Sequence, residues 1–252
     1  MFRVLALSLG LAAIALPALA ASPPAAPERI EDQLLAAANG FRADNRLAPL
    51  EPDPTLTAAA RDFAEYLART GKFSHTADGR SPGDRARAAG YDYCELAENI
   101  AYEEDDAGFG ADHLTHTFIT GWENSPGHRR NLLDANVTQT GVGVARVLGR
   151  RGLQKYVAVQ EFGRPSSDRY SFEVENGSVL EVGFTFDGVV RRVPPHATLR
   201  ESTCATGEIR FERVGRGPQS YAAEPGARYV ITDAPGGVRV EAPPARGRPE
   251  RD

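Results

Sequence analysis

Lysine is nearly absent from this chain. Of its 29 basic residues only Lys72 and Lys155 are lysines, and the arginines that make up the rest are scattered rather than clustered. No broad basic face is therefore offered to nucleic acid or to an anionic lipid surface, and the formal charge of −5 points the same way. Long apolar runs are missing beyond the first 20 residues, which excludes stable membrane insertion by a helix of the remaining chain. The first 20 residues themselves read as an export signal. Arg3 supplies a short basic start, Val4 to Leu16 is almost unbroken apolar sequence, and Ala18-Leu19-Ala20 supplies the small residues that a signal peptidase accepts. The apolar run is too short for a membrane span, and with no cysteine after the cleavage site a lipoprotein anchor is not expected. Cleavage near Ala20 removes Arg3, moves the formal charge from −5 to −6, and leaves a protein expected to be secreted or periplasmic.

There are only two cysteines, Cys94 and Cys204. In an oxidising compartment an even pair most simply forms one disulfide; two separate buried thiols are the alternative. Such a bridge closes a loop of over a hundred residues, worth about 4–5 kcal/mol in the chain-entropy account.

Residues 21–29 read as a Pro/Ala-rich tether. Ile30, Leu34, Ala38 and Phe41 then recur at helical spacing, as do Leu56, Ala60, Phe63 and Leu67 after the helix-starting pair Asp53-Pro54, with Gly71 placed to end the second helix. Ser81-Pro82-Gly83-Asp84 and Gly90 punctuate a short third helix, and Leu114, Phe118 and Trp122 mark a fourth. Glu103 to Asp106 reads as a solvated acidic loop; it lacks the alternating ligands and glycine of an EF-hand. His113 and His116 read as surface histidines, since no third ligand stands in register with them. Beyond residue 136 the pattern turns to strands: Val137 to Val147, Lys155 to Phe162, a linker at 164–168, and then alternating segments separated by the turn signals Asn176-Gly177 and Asp187-Gly188. Residues 169–242 are expected to form a small all-β unit, a sandwich or barrel, and 243–252 a disordered tail.

Five segments, in order, carry a resemblance: Asn39-Gly40-Phe41-Arg42 with Leu47-Ala48-Pro49-Leu50; Phe73-Ser74-His75-Thr76 with Asp78-Gly79-Arg80; Ala97-Glu98-Asn99-Ile100-Ala101; Trp122 through Leu132; and Val159-Gln160-Glu161-Phe162-Gly163. Together they resemble the CAP superfamily of cysteine-rich secretory proteins, antigen 5 and pathogenesis-related proteins, in its bacterial secreted branch. The resemblance covers roughly Asp32 to Gly163, and a domain at 30–163. It implies an α+β fold, a CAP-type α-β-α sandwich, here followed by the small all-β domain. It also implies that His75, Glu98 and His128 line one cleft. Two departures stand out: Ser125 occupies the place of a second carboxylate, leaving Glu123 as the nearest acid, and Ala97 replaces a glycine.

Three readings of the cleft follow. His75, His128 and Glu98 could ligate a divalent metal such as Zn²⁺. They could act as acid and base in a metal-dependent hydrolase, although neither Ser74 nor Ser125 sits in a nucleophile elbow. Or His75, Glu98, His128 and Ser125 could form a polar network that holds the cleft and helps seat a lipid-like or other small ligand. The third is expected, in a non-catalytic binding or effector module whose partner is an extracellular or cell-envelope ligand or protein.

Overall fold

The computed structural model describes residues 25–243 other than 106–108, 150–151 and 215–216. The expected export signal and the tail beyond residue 243 lie outside the described residues. Among the described residues, no helix is long and apolar enough to cross a membrane.

The N-terminal part is a three-layer sandwich. Its sheet has the order β1-β3-β4-β2, made from β1 (Glu51–Pro52), β2 (Tyr93–Asp105), β3 (Gln139–Leu148) and β4 (Gln154–Pro165). The three long strands pair antiparallel, and the two-residue β1 runs parallel to β3. On one face lie α1 (Pro27–Asp44), α4 (Ala111–Asn124) and α5 (Pro126–Leu132). On the other lie α2 (Pro54–Thr70) and α3 (Pro82–Ala88). Strand alternation produces the layering. Tyr156, Ala158 and Phe162 of β4 pack with Ile30, Leu34, Phe118 and Trp122, whereas Val157 and Val159 pack with Ala60, Phe63 and Leu67. The helical stripes read from the sequence are the buried ones.

Capping fixes the ends. The Asp53 side chain accepts from the backbone N–H groups of Thr55 and Leu56, and Gly71 closes α2 in the left-handed region at φ 70°. Ser81 and Asp84 form a reciprocal capping box on α3. Two glycines of β3 set how closely α2 approaches the sheet: a Cβ at Gly141 would overlap the backbone of Leu56 and Thr57, and one at Gly143 that of Ala60 and Arg61.

The C-terminal part is a β-sandwich, with sheets ordered β10-β9-β6-β7 and β12-β11-β5-β8. These comprise β5 (Tyr170–Asn176), β6 (Val182–Phe186), β7 (Val189–Val193), β8 (Ala197–Thr203), β9 (Glu208–Val214), β10 (Gly217–Ala222), β11 (Arg228–Ala234) and β12 (Gly237–Glu241). Phe172, Phe184, Phe186, Phe211 and Tyr229 fill its core. A disulfide joins Cys94, at an irregularity of β2, to Cys204, just after β8, with Cα atoms 6.0 Å apart. The two parts also meet where the Asn136 side chain accepts from the Thr206 backbone N–H and hydroxyl at 3.0 and 3.1 Å.

Several expectations change. α1 begins at Pro27, whose ring suits the first helical turn, so the last three residues of the expected tether are helical. The expected linker is a continuation of β4 to Pro165 followed by one 3₁₀ turn, Ser166–Asp168. Glu103 to Asp105 are not loop but the end of β2, where Lys155 of β4 meets Glu104 at 3.1 Å. Asp187-Gly188 makes the hairpin expected of it, between β6 and β7. Asn176-Gly177 does not. β5 pairs with β8 and β11, and β6 belongs to the other sheet. The buried Asn176 amide donates to the carbonyls of Leu180, Val193 and Pro194, so its side chain carries the chain between sheets rather than back along one.

Candidate functional site

Glu98 stands on the edge strand β2, with its side chain on the face covered by α2 and α3 and only 1% exposed. Both its oxygens are engaged. His75, in the turn after α2, places Nδ1 2.6 Å from Oε1, and Arg85 of α3 donates from Nη2 to Oε2 at 2.6 Å. An ionised carboxylate only accepts, so Nδ1 of His75 carries the proton of that bond.

Arg85 organises this corner. Its guanidinium lies 3.4 Å above the centre of the Phe63 ring and donates also to Asp78, at 3.0 Å, and to the backbone carbonyls of His75 and Arg80. One buried arginine thus ties α3 to the His75 turn and to β2. Burial opposes the charge on Asp78, but hydrogen bonds from the Arg80 backbone and side chain and the charge of Arg85 outweigh it and hold this carboxyl below its ordinary range.

Glu161 of β4 is the cross-strand neighbour of Glu98 and is fully buried. Neither of its oxygens receives a hydrogen bond from a protein donor. Burial, and then the adjacent charge of Glu98, push its titration well above the ordinary glutamate range. A carboxyl in that setting sheds its charge by keeping its proton, which it can donate to Glu98.

His128 arrives from the opposite layer. Asn99, the residue after Glu98, projects to the other face and donates to the His128 carbonyl at 3.2 Å, while Asn131 donates to the Glu98 carbonyl and to Asn99 Oδ1. α5 is thereby pinned along the open edge of β2, and the Trp122 indole donates to the Ile100 carbonyl at 3.3 Å. Burial, and then the nearby positive charge of His75, lower the titration of His128. The two histidine segments therefore meet the edge of one strand from two layers.

Among the described residues, the Ser125 side chain makes no hydrogen bond to the cluster. The residue is the junction of α4 and α5, its backbone carbonyl accepting from Arg129 at 2.8 Å, and its side chain caps nothing. Among the described residues, Glu123 makes no ion pair or side-chain hydrogen bond with the cluster. Among the described residues, no three His, Cys, Asp or Glu side chains are grouped to hold an ion. The Arg85 guanidinium already supplies the cation that Glu98 faces, so a divalent ion sharing that carboxylate would meet a buried positive charge. His113 and His116 are exposed on α4, as expected, with His113 stacked on Phe109.

Arg85, Asp78 and Glu161 carry as much of this site as the residues read from the sequence. Glu161 did leave a signal: with Gln160, it interrupts an otherwise apolar run from Tyr156 to Phe162 in a strand buried on both faces. A described cavity of about 560 Å³ lies elsewhere, bounded by Glu28, Glu31, Arg61, Glu65 and the end of β3.

A helix-covered sheet with the His75–Glu98 pair at its edge, and the second histidine segment folded along that edge, defines a CAP-type domain. The sequence profile of CAP, the Cysteine-rich secretory protein family, matches residues 35–162, and the chain belongs to that family. Two Bacillus subtilis (strain 168) proteins are similar to it: Uncharacterized protein YkwD, 30% identical over 48% of this chain and 45% of its own, and Uncharacterized membrane protein YlbC, 34% identical over 46% and 32%. The chain thus spans less than half the length of these relatives. Among solved structures, an extracellular protein containing an SCP domain from Bacillus anthracis str. Ames is 25% identical, with 55% of this chain and 41% of that one covered and a TM-score of 0.44. An outer surface protein from Borrelia burgdorferi is 22% identical, with 55% and 95% covered and a TM-score of 0.44.

Proposed function

We propose that this chain is an exported, non-catalytic binding or effector module in which His75, Glu98 and His128 form a polar floor that helps seat a lipid-like or other small extracellular ligand. One observation carries the reading: Glu98 is 1% exposed and has both oxygens committed at 2.6 Å, to His75 and to Arg85. A general base needs a lone pair aimed at substrate, and a metal ligand needs one aimed at the ion. Glu98 is buried with each oxygen already bonded, so a metal-dependent hydrolase built on it would first have to break a buried ion pair.

Export rests on the basic, apolar and small-residue pattern of the first 20 residues and agrees with the disulfide. The direct test is organic extraction and mass spectrometry of the purified protein, beside an esterase, peptidase and muralytic screen. The expected result is a co-purifying ligand and no turnover. Activity that disappears in a folded Glu98→Gln variant would replace the binding module with an enzyme.

A further inference from the structure

Beside the polar floor the chain exposes two large aromatic rings that do nothing for its core. Phe73, two residues before His75, is 40% exposed, and Tyr102, on the same strand and the same side row as Glu98, is 47% exposed. Their centroids are 4.8 Å apart with the rings at 69°, so they form two walls of an open corner rather than one flat plate. Lys155 lies 4.5 Å over one face of the Tyr102 ring and pairs with Glu104, whose carboxylate side chain, 42% exposed, borders the corner. Toward Glu98 the strip continues into His75, whose side chain is 47% exposed. The imidazole spends Nδ1 on Glu98, and its Nε2 has no hydrogen-bond partner among the described residues. From Glu98 to Tyr102 the strand covers about 13 Å at its ordinary rise.

We infer that Phe73, Tyr102 and His75 form a binding strip for the sugar rings of a neutral, hydroxyl-rich extracellular glycan. This deepens the binding-module reading and rests on it. A sugar ring is amphipathic in the way this strip is. Its C–H face is apolar and slightly positive and meets the negative face of an aromatic ring, while its rim of hydroxyls needs donors and acceptors. The exposed edge of His75 and the Glu104 carboxylate supply those at either end. A membrane surface fits less well. Two rings flanked by Lys72, Lys155 and Glu104 present no contiguous apolar face to sink into lipid, and the chain's net charge of −5 opposes anionic headgroups.

The test is isothermal titration of the full exported chain with cellotriose and with tri-N-acetylglucosamine, repeated in Phe73→Ala/Tyr102→Ala and in Tyr102→Phe. Both rings are exposed, so unchanged thermal melting is expected and certifies the variants. The expected result is saturable binding to at least one trisaccharide, weakened about tenfold or more in the double alanine variant and retained in Tyr102→Phe. No saturable binding to either sugar overturns the inference, as does undiminished binding by the double variant. Loss in that variant of binding to phosphatidylcholine vesicles, with no sugar binding in the parent, also overturns it in favour of lipid. In that last case the binding-module reading survives; turnover of substrate by the parent protein would remove the reading itself.

Discussion

The two halves of this molecule bury different things. Among the described residues, the sandwich of β5 to β12 encloses aromatic and aliphatic side chains with only Asn176 and Ser178 as fully buried polar residues. The α-β-α layer buries Glu31, Arg42, Arg85, Glu98, Asn99, Thr140, Gln160 and Glu161. Asn176 and Ser178 bond each other and neighbouring carbonyls to make a chain reversal, a local structural task. In the α-β-α layer, by contrast, Arg85, Glu98, Asn99 and Glu161 converge on one edge of one sheet. Buried charge is costly unless paired, so its concentration there marks where the fold gives up simple packing for specific polar geometry. The sandwich packs almost wholly apolar side chains; the layer concentrates the buried charge.

The strongest way to break this contrast is through the close approach of α2 that shapes the polar corner. Gly141→Ala puts a methyl group into the backbone of Leu56 and Thr57, which cannot rotate away, and is expected to cost more than about 4 kcal/mol or to abolish native folding. Gly127→Ala on α5 meets nothing within 4 Å and should be close to neutral; urea denaturation of both variants measures the difference.

Next comes the arginine pair. Arg85→Met leaves buried Glu98 with His75 alone and buried Asp78 with Arg80 alone, and is expected to lose about 3–5 kcal/mol. The equivalent cut in the sandwich, Arg191→Met, removes a partly exposed pair with Glu201 and should lose about 1 kcal/mol. Equal losses in chemical denaturation would erase the contrast between the halves. Replacing both Cys94 and Cys204 by serine releases a span of 110 residues and should lower stability by about 2–4 kcal/mol, read from the thermal midpoint without reductant.

The subtlest effect is on pH. Glu161 titrates higher in the folded chain than in the unfolded one, so the folded state holds more protons as pH climbs out of the ordinary carboxylate range. Its contribution to stability is fully present below the unfolded pKa and is lost as pH rises toward the folded one. Glu161→Gln removes that dependence and can still donate to Glu98. Its melting temperature should therefore gain on the parent as pH rises from acid to neutral, and an infrared carboxylic-acid band present in the parent at neutral pH should vanish. A constant difference across pH would contradict the protonated assignment.

Much of the fold was written locally in the chain. The helical stripes, the Asp53 and Ser81 caps and the Asp187-Gly188 turn each depend on residues within one or two turns of one another, so their signals survive without tertiary knowledge. The motif residues Asn39 and Arg42 proved to be scaffold: Asn39 exchanges hydrogen bonds with the Leu50 backbone, and Arg42 gathers the carbonyls of Ala48, Leu132 and Asp134. What escaped reading was set by long-range register. Glu161 matters because the ladder places it opposite Glu98, 63 positions earlier in the chain, and nothing near residue 161 announces that partner. Asn176-Gly177 has hairpin composition, but the sheet assignment of the following strand overrode it. Ser125 holds the expected place beside the second histidine segment and forms the junction of α4 and α5.

The central claim is that Glu98 is committed to His75 and Arg85 and is not a ligand. Thermal melting of tag-free protein titrated with Zn²⁺ tests it most directly. The account predicts no saturable rise in melting temperature at stoichiometric metal, and the same curve for His75→Ala/His128→Ala. A saturable Zn²⁺-dependent stabilisation that disappears in that double variant would contradict it.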